Sequence, residues 1–173
     1  MPQKFLFLKN DDDDVLLEAF SKLPSYYIEI GVIDEDSKRE ATESSGKKKI
    51  TKVGITNAEL MFIHEYGSPM NKIKERPVLQ MTIDWANKEL LDQTIDNAVT
   101  AFIKSDFDQK ALEKEFLKMC RRMENYARHI IYDNDGRLEA NKPSTIKRKG
   151  DNHPLFDTGQ LAKSITCNLV KID

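Results

Sequence analysis

The chain has 173 residues, 39% of them hydrophobic and 32% charged, with a formal net charge of −2. That length forms one domain with a real core, and the near-neutral balance excludes a global field drawing the chain to nucleic acid or anionic lipid. No apolar run approaches the about 20 residues of a membrane span or the about 7–15 of a secretory core, so the expected place of synthesis and residence is a cytoplasm, unless the chain leaves inside a larger particle.

Residues 1–10 predict a short strand, Phe5-Leu6-Phe7-Leu8, in a flexible N-terminal segment. Asp11-Asp12-Asp13-Asp14 follows. Acidic residues gather at helix N-termini, where the dipole favours negative charge, so the run reads as the start of a helix over 15–23 that stops before Pro24 rather than as a cation site. Residues 26–33 alternate, with Tyr26, Ile28, Ile30 and Val32 on one face of a strand. Residues 34–52 hold almost no apolar side chain and predict a long mobile loop.

Thr56-Asn57-Ala58-Glu59 has the form of a capping box. The helix it opens carries Leu60, Met61, Ile63 and His64, and Gly67 is expected as its left-handed cap. Pro77 is expected at the first position of the next helix. Val78, Met81, Trp85, Leu91, Ile95, Ala98 and Phe102 then predict one long helix. Ser105-Asp106-Phe107-Asp108 breaks and recaps the chain. Leu112, Phe116, Met119, Met123, Tyr126 and Ile130 form the apolar stripe of a second long helix, which ends at the turn Asp133-Asn134-Asp135-Gly136. Pro143 to Lys149 predicts a short helix closed by Gly150, and Ile165, Cys167 and Leu169 alternate in a terminal strand. The class is α+β: a small antiparallel sheet packed with two long amphipathic helices and short capping helices, in a single domain over 1–173.

Few motifs point to chemistry. Cys120 and Cys167 have no Cys-x-x-Cys partner and read as buried small hydrophobes. His64, His129 and His153 show no metal-ligand spacing. No Gly-rich phosphate loop or Gly-x-Ser-x-Gly elbow occurs, so neither an enzyme nor a cofactor is expected. Asp157-Thr158-Gly159 after Leu155-Phe156 is the tripeptide that retroviral-type aspartic peptidases use, where two such carboxylates share a proton across a dimer. Only 14 residues follow Gly159, fewer than the barrel of such an enzyme needs. The competing reading makes Asp157 a helix N-cap with Gln160 completing a capping box. Basic residues cluster at Lys47-Lys48-Lys49, at Arg121-Arg122, and at Lys142 with Lys147-Arg148-Lys149. They form solvated faces or a phosphate-contacting patch, and the latter reading makes the chain a nucleic-acid-binding accessory protein.

Two stretches carry a family pattern. The first is Ala58-x-x-x-x-Ile63-His64-Glu65-Tyr66-Gly67-Ser68-Pro69, then Ile73-x-x-Arg76-Pro77-x-Leu79. The second is Leu138-x-x-Asn141-x-x-x-Thr145-Ile146-x-Arg148-Lys149-Gly150, then Pro154-Leu155-x-Asp157-Thr158-Gly159-x-Leu161-x-x-Ser164-Ile165. In this order they resemble the tailed-bacteriophage neck and tail-completion family of the Mu-type virion morphogenesis kind. The resemblance implies a structural, non-enzymatic part of a homo-oligomeric ring, expected six-fold, at the head–tail junction of a virion assembled in the bacterial cytoplasm. It implies head-connector and tail-terminator or tail-tube proteins as neighbours, and DNA passing the lumen with at most transient contact at Lys142, Lys147, Arg148 and Lys149. The 1–10 segment and the 34–52 loop are the candidate arms.

Overall fold

Alternation in residues 25–32 and 165–172 produces the sheet. The structure, a computed structural model, describes residues 17, 20, 21, 23–33 and 54–172. Strand β1 (Ser25–Val32) pairs antiparallel with β2 (Ile165–Ile172), Ile30 opposite Cys167 and Val32 opposite Ile165. Between them run α1 (Asn57–Tyr66), α2 (Val78–Glu89), α3 (Leu91–Lys104), α4 (Gln109–Tyr132), α5 (Pro143–Lys149) and α6 (Gln160–Lys163). Among the described residues the fold is α+β, with a two-stranded sheet. The expected strand in 1–10 and the expected loop over 34–52 lie outside the described residues. Of the expected 15–23 helix, residues 17, 20, 21 and 23 are described; 17, 20 and 21 are helical, and Leu23 already lies past the helix.

The α4 helix organises the core. Its 24 residues extend about 36 Å and pass three apolar clusters in turn. Leu112 joins Ala98 and Phe102. Met119, Cys120 and Met123 join Ala86, Leu90 and Cys167. Ala127, Ile130 and Ile131 join Met61, Val78, Leu161 and Ile165. The stripe read from the sequence holds, but the buried face is wider, because Cys120, Ala127 and Ile131 are buried beside it. Cys120 and Cys167, distant in sequence, share one cluster as free thiols. Contact with Cys120 together with burial pushes the Cys167 thiol up.

The sheet has an edge to protect, since unpaired strand groups cost free energy or recruit other strands. Two α4 side chains cover it: Glu124 Oε1 accepts from the Cys167 N–H at 2.9 Å, and Arg128 Nη2 donates to the Ile165 carbonyl at 2.7 Å.

Three caps follow the sequence. The Thr56 hydroxyl accepts from the Glu59 N–H at 3.1 Å, and Glu59 Oε2 accepts from the Thr56 N–H at 2.8 Å. Asp108 caps α4 through the Lys110 N–H. Gly150 closes α5 in the left-handed conformation, φ 77°.

The 78–102 stretch departs from the expected single helix. Leu90 leaves helical geometry at φ −120°, separating α2 from α3. No Gly or Pro marks the site. Leu90 is buried against Ala86 and Met119, and the change of direction lets both halves pack on α4. Among the described residues no helix is long and apolar enough to cross a membrane.

Candidate functional site

The two motif blocks meet at Arg76. The capped α1 helix buries Met61 and Glu65 on its inner face. After α1 the chain must reverse sharply, and Gly67 does this at φ 70°, ψ −179°. This is not the expected left-handed cap but a region only glycine adopts freely. A Cβ there would stand 3.0 Å from the Ile73 carbonyl oxygen. Ser68 and Ile73 then bridge through a pair of 2.9 Å hydrogen bonds, returning the chain so that the Arg76 N–H donates to the His64 carbonyl at 2.6 Å.

Arg76 is 7% exposed, and its guanidinium is held by the second block. Nε donates to the Glu139 carbonyl at 2.7 Å and Nη2 to the Ala140 carbonyl at 3.0 Å. Nη1 lies 3.4 Å from His64 Nδ1. A guanidinium only donates, so that nitrogen acts as the acceptor. Burial lowers the Arg76 pKa, and the Glu139 charge partly opposes this. Glu139 in turn pairs with Lys74, which holds its carboxyl below the usual range.

Glu65 explains how α2 starts. Pro77 occupies the N-cap position rather than the first helical turn, and no side-chain cap is formed there. The Glu65 carboxylate crosses from α1 instead. Oε2 accepts from the Leu79 N–H at 3.0 Å and Oε1 from the Gln80 N–H at 2.7 Å. A helix N-terminus favours a negative charge, and two charge-assisted bonds offset the cost of burying it.

The second block forms the opposite wall of a groove. Lys142 at the N-cap of α5 and Thr145, Arg148 and Lys149 within it line it, with the Asp157-Thr158-Gly159 turn and Leu161 beyond. His64 and Arg76 line the other side. Lys149 donates to the His153 and Phe156 carbonyls, so its ammonium is engaged internally, and Lys147 does not line the groove. Of the expected basic patch, Lys142 and Arg148 remain as exposed groove cations. Gly67, Pro77, Gly150 and Ser164 stand outside the groove as backbone and packing positions. Ser164 Oγ donates to the Leu161 carbonyl at 2.9 Å.

Asp157 is not the cap expected of it. It is exposed, and the N-cap of α6 is Gly159, in the left-handed region at φ 76° with no side-chain cap bond. That turn is held from below. Leu161, Ala162 and Ile165 are buried, Phe156 packs on Tyr132 and His153, and His153 Nε2 lies 2.7 Å from the Ile131 carbonyl, which requires the proton on Nε2.

Three participants carry no motif. Asn152 braces the block, its side chain accepting from the Asn141 N–H and its carbonyl from Asn134 Nδ2. Glu139 and Ala140 act through backbone carbonyls, which leave no residue-type signal. Among the described residues no three of His, Cys, Asp and Glu gather as metal ligands. No family model, curated protein or solved structure matches the chain.

Proposed function

We propose that the chain is a structural virion protein of the tailed-phage head–tail junction, completing the tail or joining it to the head connector as part of a homo-oligomeric ring. The carrying observation is the convergence of the two motif blocks on Arg76. Beside the His64 ring contact with Arg76, three motif side chains bind backbone groups: Glu65 caps a helix, Arg76 ties two carbonyls of the other block, and Lys149 ties two within its own. Side chains consumed in fixing the backbone serve architecture, not turnover. A ring subunit needs such a rigid body, because its neighbours contact it on two different surfaces.

The peptidase alternative gains nothing from this geometry. Asp157 stands on an exposed turn between the short helices α5 and α6, not on a loop between barrel strands. The test is electron microscopy of neck-containing particles, with antibody labelling of this chain. Labelling at the head–tail junction is expected, and particles that lack the protein should accumulate as separate heads and tails. Label elsewhere, or normal joined particles without the protein, would refute the reading.

A further inference from the structure

The groove between the two blocks combines two chemistries. Its apolar surface is formed by Leu60, Ile73, Leu155, Phe156 and Leu161. Three of its cations, Lys72, Lys142 and Arg148, are exposed, and their side chains make no hydrogen bond or ion pair within the described residues. Asn141, also in the groove wall, has a buried Nδ2 donor with no acceptor among the described residues, which is unfavourable unless a ligand supplies one. A fitting ligand therefore brings apolar side chains together with acceptor oxygens. A nucleic acid offers phosphates to the cations but leaves the apolar surface unmatched, and the net charge of −2 gives it no long-range attraction.

The chain itself contains a segment of this composition: Phe5-Leu6-Phe7-Leu8 followed by Asp11-Asp12-Asp13-Asp14. The helix dipole accounts for acids in a first turn, but not for an apolar quartet just before them. The described chain that precedes β1 stands at the far end from the groove. Leu23 and Tyr26 pack on the Phe102 cluster, whereas Leu60, Leu155 and Phe156 pack on the Met61–Ile130 cluster. The eight residues of β1 between those ends extend about 26 Å. The 16 residues before Leu17 reach on the order of 50 Å when extended. A receptor at one end and a tether of that length starting from the other suit a head-to-tail, heterologous contact, in which each copy uses two different surfaces.

We infer that the groove takes the N-terminal segment of a second copy of this chain, the apolar quartet on the groove's apolar surface and the aspartates on Lys72, Lys142 and Arg148. This rests on the ring reading and supplies its subunit contact.

The test uses the full chain in solution. Sedimentation at about 0.15 M salt, where the Debye length is about 8 Å, is compared for the parent, the Lys142→Glu/Arg148→Glu variant, and that variant with Asp11 to Asp14 all changed to Lys. The expected results are a concentration-dependent oligomer for the parent, at least tenfold weaker association for the groove variant, and recovery in the charge-swapped chain. A synthetic peptide of residues 3–15 should dissociate the parent oligomer and bind the groove variant at least tenfold more weakly. Both groove residues are exposed and make no side-chain hydrogen bond, so circular dichroism should be unchanged. Failure of the charge swap to restore association overturns the inference, as does a parent chain that stays monomeric. Binding of random-sequence duplex DNA at the groove, undisplaced by the peptide, overturns it in favour of a nucleic acid. None of these outcomes bears on where the protein sits in particles, so the head–tail reading stands or falls separately.

Discussion

At the residue scale, Glu65 does what Pro77 cannot. Proline at the N-cap offers no side-chain acceptor, so the Leu79 and Gln80 N–H groups depend on a carboxylate from another helix. Removing that acceptor loses a cap of about 1 kcal/mol and leaves two half-buried bonds unmade, a further cost at the lower part of the about 1–3 kcal/mol of an orphaned group. Glu65→Ala is expected to lower stability by about 2–3 kcal/mol in urea denaturation, and Glu65→Gln by less, because its amide oxygen still accepts one bond. An unchanged midpoint for Glu65→Ala would remove the capping role. Asp157 gives the opposite expectation. It is exposed and caps nothing, so Asp157→Ala should stay within about 0.5 kcal/mol. Gly159→Ala should cost about 1–2 kcal/mol, the usual penalty of the left-handed conformation for a residue with a Cβ, with Tyr132 Oη only 3.4 Å from that atom. Thermal unfolding of the two variants decides which residue holds the turn. The Asp157-to-Gln160 spacing suggested a capping box because sequence shows spacing, not φ; the left-handed Gly159 turns the aspartate outward.

At the element scale, the start of β1 is tied to α4 by Tyr26, whose hydroxyl donates to Glu113 Oε1 at 2.7 Å. Burial first, and then the Glu113 hydrogen bond and charge, push the Tyr26 pKa up to about 12. The ordinary value is about 10. The folded pKa exceeds the unfolded one, so this contribution to stability is complete below about pH 10 and is lost as pH rises toward 12. Ultraviolet titration of the five tyrosines should show one phenol ionising near pH 12, and Glu113→Gln should bring it down. A phenol that titrates with the others in the parent chain would contradict the contact. Strand alternation and helix caps were legible because each depends on neighbours within about four residues: Thr56 with Glu59, Asp108 with Lys110, Gly150 after Lys149. The break at Leu90 was not legible, since its cause is the packing of two helical halves on α4 rather than any local residue.

At the scale of the whole molecule, α4 passes through all three clusters, so none can lose its packing without exposing a face of the same helix. Trp85, the single tryptophan, stacks on Tyr126 of α4 at 4.0 Å. Its fluorescence and the helical circular dichroism are expected to report one urea transition with a common midpoint. Two separated midpoints would mean that the clusters unfold independently.

The sequence by itself determined the α+β class, the alternating faces of both strands, the caps at Thr56, Asp108 and Gly150 and the α4 stripe, because periodicity and these caps are short-range physics. It also marked His64, Glu65, Arg76 and the Thr145–Ser164 stretch as belonging to a pattern, without saying what any of them binds. Only the tertiary structure decided that Glu65 caps α2, that Arg76 grips the Glu139 and Ala140 carbonyls, that Asp157 points to solvent, and that the two blocks face each other across one groove. Those partners lie 14 to 64 residues apart, and two of them are backbone carbonyls. Every residue carries the same carbonyl, so no residue type announces such a partner before the chain has folded.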